Sequence, residues 1–379
     1  MFNKRIKELR KKLLKEKLDG VLISSISNIT FLTGYANFSG EEREAYLLIG
    51  KDFQYIITDG RYSEAIKRQV VHFNLFERNH ENKLESLLKS LKNRINVLAV
   101  EEDDLTVLEH KFFKKHFKKL KSISLHTHRS IKSTEEITKI KKACQLGDQA
   151  FEHILKKIKV GISEKSLAWE IEKFIKDQGA QISFPSIVAF GKNSSIPHHH
   201  TGNDILGSES SSGQEGLIIL LDLGVKFENY CSDMTRTVFF GKPSNKQKEI
   251  YETVLEAQKR AVSFANSKIK SGEAVKASEI DKIAREEIIS KGFPTIPHSL
   301  GHGIGLEVHE RPSLSPKSKD QLKLGMVFSI EPGIYIPDFG SPRSRFGEAG
   351  GVRIEDLYVY GKKGLSQLTN SSKKLLIIP

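Results

Sequence analysis

The 379-residue chain is 38% hydrophobic and 28% charged, a balance that excludes a disordered or fibrous protein and holds enough apolar material for two domains. Its net charge of +13 raises nucleic acid as a partner, but lysines 11, 12, 114, 115, 118, 119, 141 and 142 run along helical patterns without interleaved aromatics, as a solvated surface does. No run nears the roughly 18 apolar residues of a membrane span, the N-terminus MFNKRIKELRKKLLKEKLDG is too charged for a signal peptide, and the two distant cysteines, Cys144 and Cys231, make no disulfide framework; the expectation is a cytoplasmic protein with neither membrane nor nucleic-acid partner.

Phe2, Ile6, Leu9, Leu13 and Leu14 recur at helical spacing until Asp19-Gly20 breaks the pattern into the strand-like VLIS. Strand patterns follow at 46–49, 55–58 and 97–100 and helix patterns at 62–70 and 84–91, which predicts an α/β domain with a mixed sheet. Residues 126–133 (HTHRSIKS) lack apolar periodicity, and Ser133 stands three residues before Glu136, the capping-box arrangement that opens a helix. The domain boundary is placed there, giving domains at 1–128 and 129–379. A helix at 134–158 stops before Gly161, and Ser163 begins another that runs to Asp177. The remainder is strand-rich, with helices at 246–269 and 277–290, as in an α+β domain of curved antiparallel sheets with helices outside. SESSSGQEG, residues 208–216, reads as a surface hairpin connection.

Chemistry gathers in the second domain. In HSLGHGIGLEVHE, residues 298–310, His302 lies between Gly301 and Gly303, neither of which has a side chain to obstruct an approaching ion or substrate; a plain glycine-rich surface turn has the same composition. Asp222 ends the apolar run LIILLDLG, where a buried carboxylate is costly unless it is paired or binds a metal. YCSDMTRTV puts Asp233, Thr235 and Thr237 on one face of the next strand, so both aspartates face one cavity or else are strand-end turn residues. Glu331 interrupts the apolar VFSIEPGIYIP, and Pro332 biases it towards extended backbone. In GVRIEDLYVY, Arg353 and Glu355 share a face; Arg353 is either the ion-pair partner of Glu355 or, as preferred here, a group that orients the ligand. Four carboxylates and one imidazole would bring about four negative charges together, which two divalent cations cancel and one does not. Ligation by oxygens with a single nitrogen suits manganese, with cobalt or zinc as alternatives, and the expected chemistry is metal-assisted hydrolysis.

The stretches LLDLG, YCSDMTRT, GHGIGLEVHE, SIEPGIYIP and GVRIED carry Asp222, Asp233, His302, Glu331 and Glu355 in the order that resembles the pita-bread metallopeptidases: aminopeptidase P, prolidase and methionine aminopeptidase. SNITFLTGY and ITDGRYSEA resemble the creatinase-type N-terminal domain of the first two, so the resemblance covers nearly the whole chain. It implies that Asp233 and Glu355 bridge two metals, that Asp222 holds one and His302 and Glu331 the other, and that Glu331 is also the general base or proton shuttle. It puts a substrate-side histidine at His198, to stabilise the tetrahedral intermediate, and matches His298 and His309 to two histidines beside the scissile bond; His199 and His200 are left out as exposed loop residues.

The implied function is removal of the N-terminal residue from peptides with proline in the second position, by a homodimer. The substrate amine would dock near the Asp222 metal and the proline ring in an apolar pocket. Proline has no amide hydrogen and a fixed backbone, so general aminopeptidases handle such bonds poorly. A prolidase that cleaves Xaa-Pro dipeptides is the alternative. Residues 338–350, DFGSPRSRFGEAG, look more like the aminopeptidase P loop, although Arg343 or Arg345 there could grip a dipeptide carboxylate. A non-catalytic pita-bread binding module is a third reading, disfavoured because all five ligands and the flanking histidines are retained.

Overall fold

The computed structural model describes residues 1–207, 216–336 and 350–379, which form two units, Met1–Thr127 and His128–Pro379. Most of the 208–216 connection and the 338–349 segment with Arg343 and Arg345 therefore lie outside the described residues.

In the first unit the amphipathic helix α1 (Phe2–Lys15) buries Ile6, Leu9 and Leu13 on one side. It is followed by β1 (Gly20–Ile23), α2 (Ile26–Thr33), β2 (Tyr46–Gly50), β3 (Gln54–Asp59), α3 (Gly60–Gln69), β4 (Asn74–Arg78), α4 (Leu84–Leu91), β5 (Val97–Val100), α5 (Val107–His116) and β6 (Lys119–Ser122). The strands form one sheet in the order β4-β3-β2-β1-β5-β6. β1–β2 and β2–β3 are antiparallel and the other pairs parallel, which is the mixed sheet the alternation predicts. Leu22, Leu48, Ile57, Leu98 and Phe113 share its core. The helix α2 gives no periodic signal because all but its first two residues are buried, so it lacks a polar face. Its start is held by Glu101, which accepts the backbone N–H groups of Ser24 (2.6 Å) and Ser25 (2.9 Å).

The short α6 (His126–Ser130) occupies the stretch read as aperiodic; Arg129, paired with Glu307 and Glu310, anchors it where its own sequence would not. Next come α7 (Thr134–Leu155), whose Ser133–Glu136 capping box is formed in both directions, and α8 (Glu164–Asp177). Strands β7 (Gln181–Ile182) and β8 (Ile187–Phe190) lead through a tight turn, Gly191–Ser195, to β9 (Leu217–Leu223), β10 (Val225–Phe227), β11 (Tyr230–Cys231) and β12 (Met234–Phe240). Helices α9 (Asn245–Lys270) and α10 (Ala277–Ser290) are followed by β13 (Gly301–Gly303), β14 (Glu310–Leu314), β15 (Val327–Ile330), β16 (Gly333–Ile336), β17 (Gly350–Arg353), β18 (Asp356–Gly361), β19 (Gly364–Gln367) and β20 (Ile377–Ile378).

Two sheets dominate this unit, in the orders β20-β12-β9-β8 and β14-β13-β15-β18-β19, with β16 and β17 as a separate pair. Ala143, Leu146, Ala150 and Ile154 of α7 and Leu167, Ile171 and Ile175 of α8 pack on the first sheet through Val188, Ile219, Leu221 and Val238. Val254, Ala257 and Ala261 of α9 and Ile280 and Ala284 of α10 pack on Phe328, Ile330, Ile334 and Val352. This is the α+β architecture expected, and its strands, buried on both faces, present polar side chains to one another in the interior.

The glycines around His302 have a different reason from the one their sequence suggests. A Cβ at Gly301 would lie 2.0 Å from the Ser329 carbonyl oxygen and one at Gly303 2.1 Å from that of Arg311, so neighbouring backbone, rather than an ion or substrate, takes the space. The register with β14 also shifts between His302 and Gly303. Because backbone cannot yield as a flexible side chain can, Gly303→Ala is expected to cost about 3 kcal/mol or more, read as a lower midpoint in denaturant unfolding. A midpoint equal to wild type would show that the strands have room to part.

Candidate metal centre

The apolar run that buries β9 carries Asp222 into the interior, and its register pairs Asp222 with Thr235 of β12. Asp233 lies just before β12, and the face it shares with Thr235 and Thr237 meets the end of β17: Thr235 donates its hydroxyl hydrogen to Glu355 Oε2 (2.8 Å), and the Thr237 hydroxyl donates to the Arg353 carbonyl (3.0 Å). From the other sheet, His302 extends from β13 and Glu331 from the residue after β15. Its Nε2 lies 3.3 Å from Glu331 Oε1 and 3.6 Å from Asp233 Oδ2. Asp233, His302 and Glu355 offer ligand atoms within 4.8 Å of one another.

Hydrogen-bond directions fix the state of two partly buried imidazoles. His302 Nδ1 faces the Gly303 carbonyl at 3.1 Å, which can only accept, so Nδ1 carries the hydrogen and Nε2 turns a lone pair towards the two carboxylates. Burial pushes its pKa down, which keeps the ring neutral. The Ser329 hydroxyl, which accepts the His302 backbone N–H (3.0 Å), donates to Glu331 Oε1 (3.0 Å). By the same logic His298 Nδ1 donates to the Ser299 carbonyl (2.7 Å), and its Nε2 accepts from the Tyr335 hydroxyl (2.9 Å). Burial lowers His298 to about 4, so it too is neutral.

The carboxylates are in a costly position. Burial first, then the charges of their neighbours, push Asp233 and Glu355 well above the usual carboxylate range; burial, with Asp222 adding and Arg353 opposing, brings Glu331 to about 7. Asp222 Oδ1, Asp233 Oδ1 and Glu355 Oε1 are buried and meet no hydrogen-bond donor. Oxygens without donors beside an imidazole lone pair repel one another and satisfy the coordination needs of divalent cations, so the residues present fit such ions.

Arg353 supplies the nearby positive charge, and the pairing with Glu355, the alternative set aside in favour of an orienting role, is not the one formed. It is buried and pairs with Asp222 (2.6 Å), not with its neighbour Glu355, because Glu355 lies beyond the end of β17 and is held by Thr235. The guanidinium also donates to Thr235 Oγ1 (2.9 Å), the Tyr335 hydroxyl (2.9 Å) and the Pro197 carbonyl (3.1 Å). It thus orients Asp222 and, through Tyr335, His298. The His309 ring stands edge-on to His302 at 4.3 Å, and His198 is exposed. His199 is not an exposed loop residue: its Nε2 lies 2.8 Å from the fully buried Glu164, which also accepts the backbone N–H of Gly202 (3.0 Å). The sequence reading puts Thr235 on the face of Asp233 but gives it no role, and it misses Ser329 and Tyr335. Ser329 was findable, since it stands two residues along the strand from Glu331 and so shares its face; Tyr335 gave no such signal.

Residues 138–362 match the family described as Metallopeptidase family M24, and residues 5–131 match the Creatinase/Prolidase N-terminal domain. The chain is 34% identical to a protein from Pyrococcus horikoshii named Xaa-Pro dipeptidase, with 99% of each chain covered. Among solved structures it is similar to an Xaa-Pro dipeptidase from Bacillus anthracis, at TM-score 0.87 and 34% identity over 100% of both chains. It is also similar to an X-Pro aminopeptidase from Thermotoga maritima, at TM-score 0.82 and 30% identity over 99% of this chain and 100% of that one.

The electrostatics give a testable pH dependence. A Glu331 carboxyl raised from 4.5 to about 7 binds its proton more tightly folded than unfolded, so its contribution to stability is full below about 4.5 and is lost as pH rises through 7. A divalent cation takes the place of that proton. The difference in melting temperature between manganese-loaded and chelator-stripped protein is therefore expected to widen from pH 4.5 to 7; His298, whose lowered pKa acts in the opposite direction, cancels in that difference. A difference that stays flat or shrinks would contradict the site's electrostatics.

Proposed function

We propose that this chain, which belongs to metallopeptidase family M24, hydrolyses the bond on the amino side of proline in short Xaa-Pro peptides, using two divalent cations held by Asp222, Asp233, His302, Glu331 and Glu355. The observation that carries the reading is the set of buried Asp222, Asp233 and Glu355 oxygens without donors, in the same cluster as the neutral His302, whose Nε2 faces Asp233 and Glu331. Manganese suits this oxygen-rich set, with cobalt and zinc as alternatives. When bound, such cations supply Lewis acidity that polarises a carbonyl and activates water.

The chain's own groups complete the chemistry. Glu331 is the group placed to take a proton from water and return it to the leaving proline nitrogen. A neutral His298 with Nδ1 committed to backbone and Nε2 to Tyr335 is a fixed wall beside the substrate, whereas His198 and His309 are exposed and free to donate to a developing oxyanion. Arg353 holds Asp222 against the repulsion of the other carboxylates.

Dipeptides and longer peptides are both represented among the relatives. The two at 34% identity are named dipeptidases, which supports the dipeptide as substrate; the X-Pro aminopeptidase at 30% supports the longer-peptide reading that the 338–350 segment first suggested. The proposal keeps the domain division at 1–128 and 129–379, a cytoplasmic location, which two buried free thiols support, and a homodimer. No helix among the described residues is long and apolar enough to cross a membrane.

The test is to strip the protein with a chelator, restore manganese, cobalt or zinc, and compare an Xaa-Pro dipeptide, an Xaa-Pro-Xaa tripeptide and a Met-Ala-Ser peptide. Turnover is expected only with metal and only before proline; equal rates with and without metal would end the reading, and the dipeptide-to-tripeptide ratio decides between its two forms. Glu331→Gln should lower kcat by roughly a hundredfold or more, and His309→Ala should lower kcat while the bound metal stays.

A further inference from the structure

Glu310 follows His309 and opens β14, but its side chain turns inward: it is 2% exposed and meets Lys132 Nζ, on a side chain 1% exposed, at 3.0 Å. Arg129 Nε lies 3.6 Å from its other oxygen. That oxygen, Oε1, accepts the backbone N–H groups of Leu306 (3.1 Å) and Glu307 (3.3 Å), so the carboxylate caps the inside of the turn 304–309. Gly305 makes the room, since a Cβ there would lie 2.7 Å from Glu310 Oε2. The turn is held from outside as well: the Cys231 backbone N–H donates to the Gly305 carbonyl (2.7 Å), and Arg129 pairs with Glu307. Its last residue is His309, whose ring abuts that of His302.

A turn at the surface can leave its amides to water, and a buried ion pair is weak evidence for stability, because desolvation offsets the attraction. Charges buried beneath a six-residue turn fix a geometry. We propose that Glu310 is a positioning residue: clamped by Lys132 and Arg129, it holds the 304–309 turn so that the His309 imidazole is presented to the substrate beside the metal ligand His302. The inference rests on the peptidase reading, in which His309 faces the substrate. Misplacing such a group by about 1 Å lowers turnover by up to about a hundredfold.

A double-mutant cycle on the manganese-loaded enzyme tests it, with the proline peptide that the wild type turns over. Glu310→Gln keeps an oxygen for Leu306 and Glu307 but drops the charge that Lys132 grips; Lys132→Met breaks the same clamp from the other side. Each is expected to lower kcat about tenfold or more with metal content unchanged, and Glu310→Gln/His309→Ala is expected to be no slower than His309→Ala alone. Losses that multiply, or a fall in kcat that tracks loss of metal, would overturn the proposal, because Glu310 would then act other than through His309. If neither clamp variant folds, its role is structural and the proposal falls. A His309→Ala enzyme as fast as wild type would instead overturn the assignment of His309 itself, and the proposal with it.

Discussion

Four carboxylates and one imidazole lone pair are held together inside the second unit with, among the described residues, one guanidinium paired to them, and the rest of that unit is organised around this uncompensated charge. An ionised carboxylate taken out of water costs several kcal/mol even after relaxation, and like charges in a low dielectric add to that. Arg353 relieves one member, Asp222, and leaves oxygens of Asp222, Asp233 and Glu355 without a donor. A proton can relieve the others, which is what the raised pKa values of Asp233, Glu331 and Glu355 express, and a divalent cation can do the same at neutral pH.

The strands solve the problem of holding groups that repel one another. Three of the five proposed ligands are restrained by a hydroxyl or guanidinium that the pleat places on their own face or that arrives from the adjacent strand: Thr235 on Glu355, Ser329 on Glu331, Arg353 on Asp222. Behind Glu355, the buried Arg236 donates to the Thr235 and Glu355 carbonyls (2.9 and 2.5 Å) and pairs with Asp356 (2.6 Å), so the backbone of the ligand is fixed as well as its side chain. The donors and acceptors are directional. Arg353 donates to Tyr335, Tyr335 to His298 and His298 to backbone, and this order leaves no freedom for the imidazole to flip.

What could be read from the sequence was what obeys a period or violates a hydrophobic pattern. The helix that opens at Thr134 announces itself by a capping box and the buried strand at 217–223 by an apolar run, and Asp222 and Glu331 stand out because a charge interrupts such a run. The short helices α2 and α6 did not: the first is buried almost all round, and the second is held by Arg129 reaching residues about 180 positions away along the chain. The ion-pair partner of Arg353 could not be read for the same reason. Alternation along one strand links Arg353 to Glu355, whereas the ion pair runs across strands to Asp222, and register between distant segments is not written in either of them. Glycines 301 and 303 were correctly marked as places of close approach, but what approaches is the neighbouring backbone.

That last point bears on how the site keeps its shape. His302 sits on a three-residue strand, too short to be rigid by its own ladder, and is flanked by glycines, the residues that lose most entropy on folding. Its position is set from outside, by the Ser329 and Arg311 carbonyls that press where Cβ atoms would be, by the Ser329 hydroxyl on its amide, and by the Gly303 carbonyl on its ring. Such a strand is a poor scaffold for a protein that only binds a partner through its surface, because the same interior volume filled with apolar side chains would be at least as stable without the desolvation cost. Retaining three buried carboxylates, a partly buried fourth and a glycine-flanked imidazole is economical only if cations occupy the space between them, and this physical argument, rather than the order of the motifs, opposes the reading of the chain as a non-catalytic binding module.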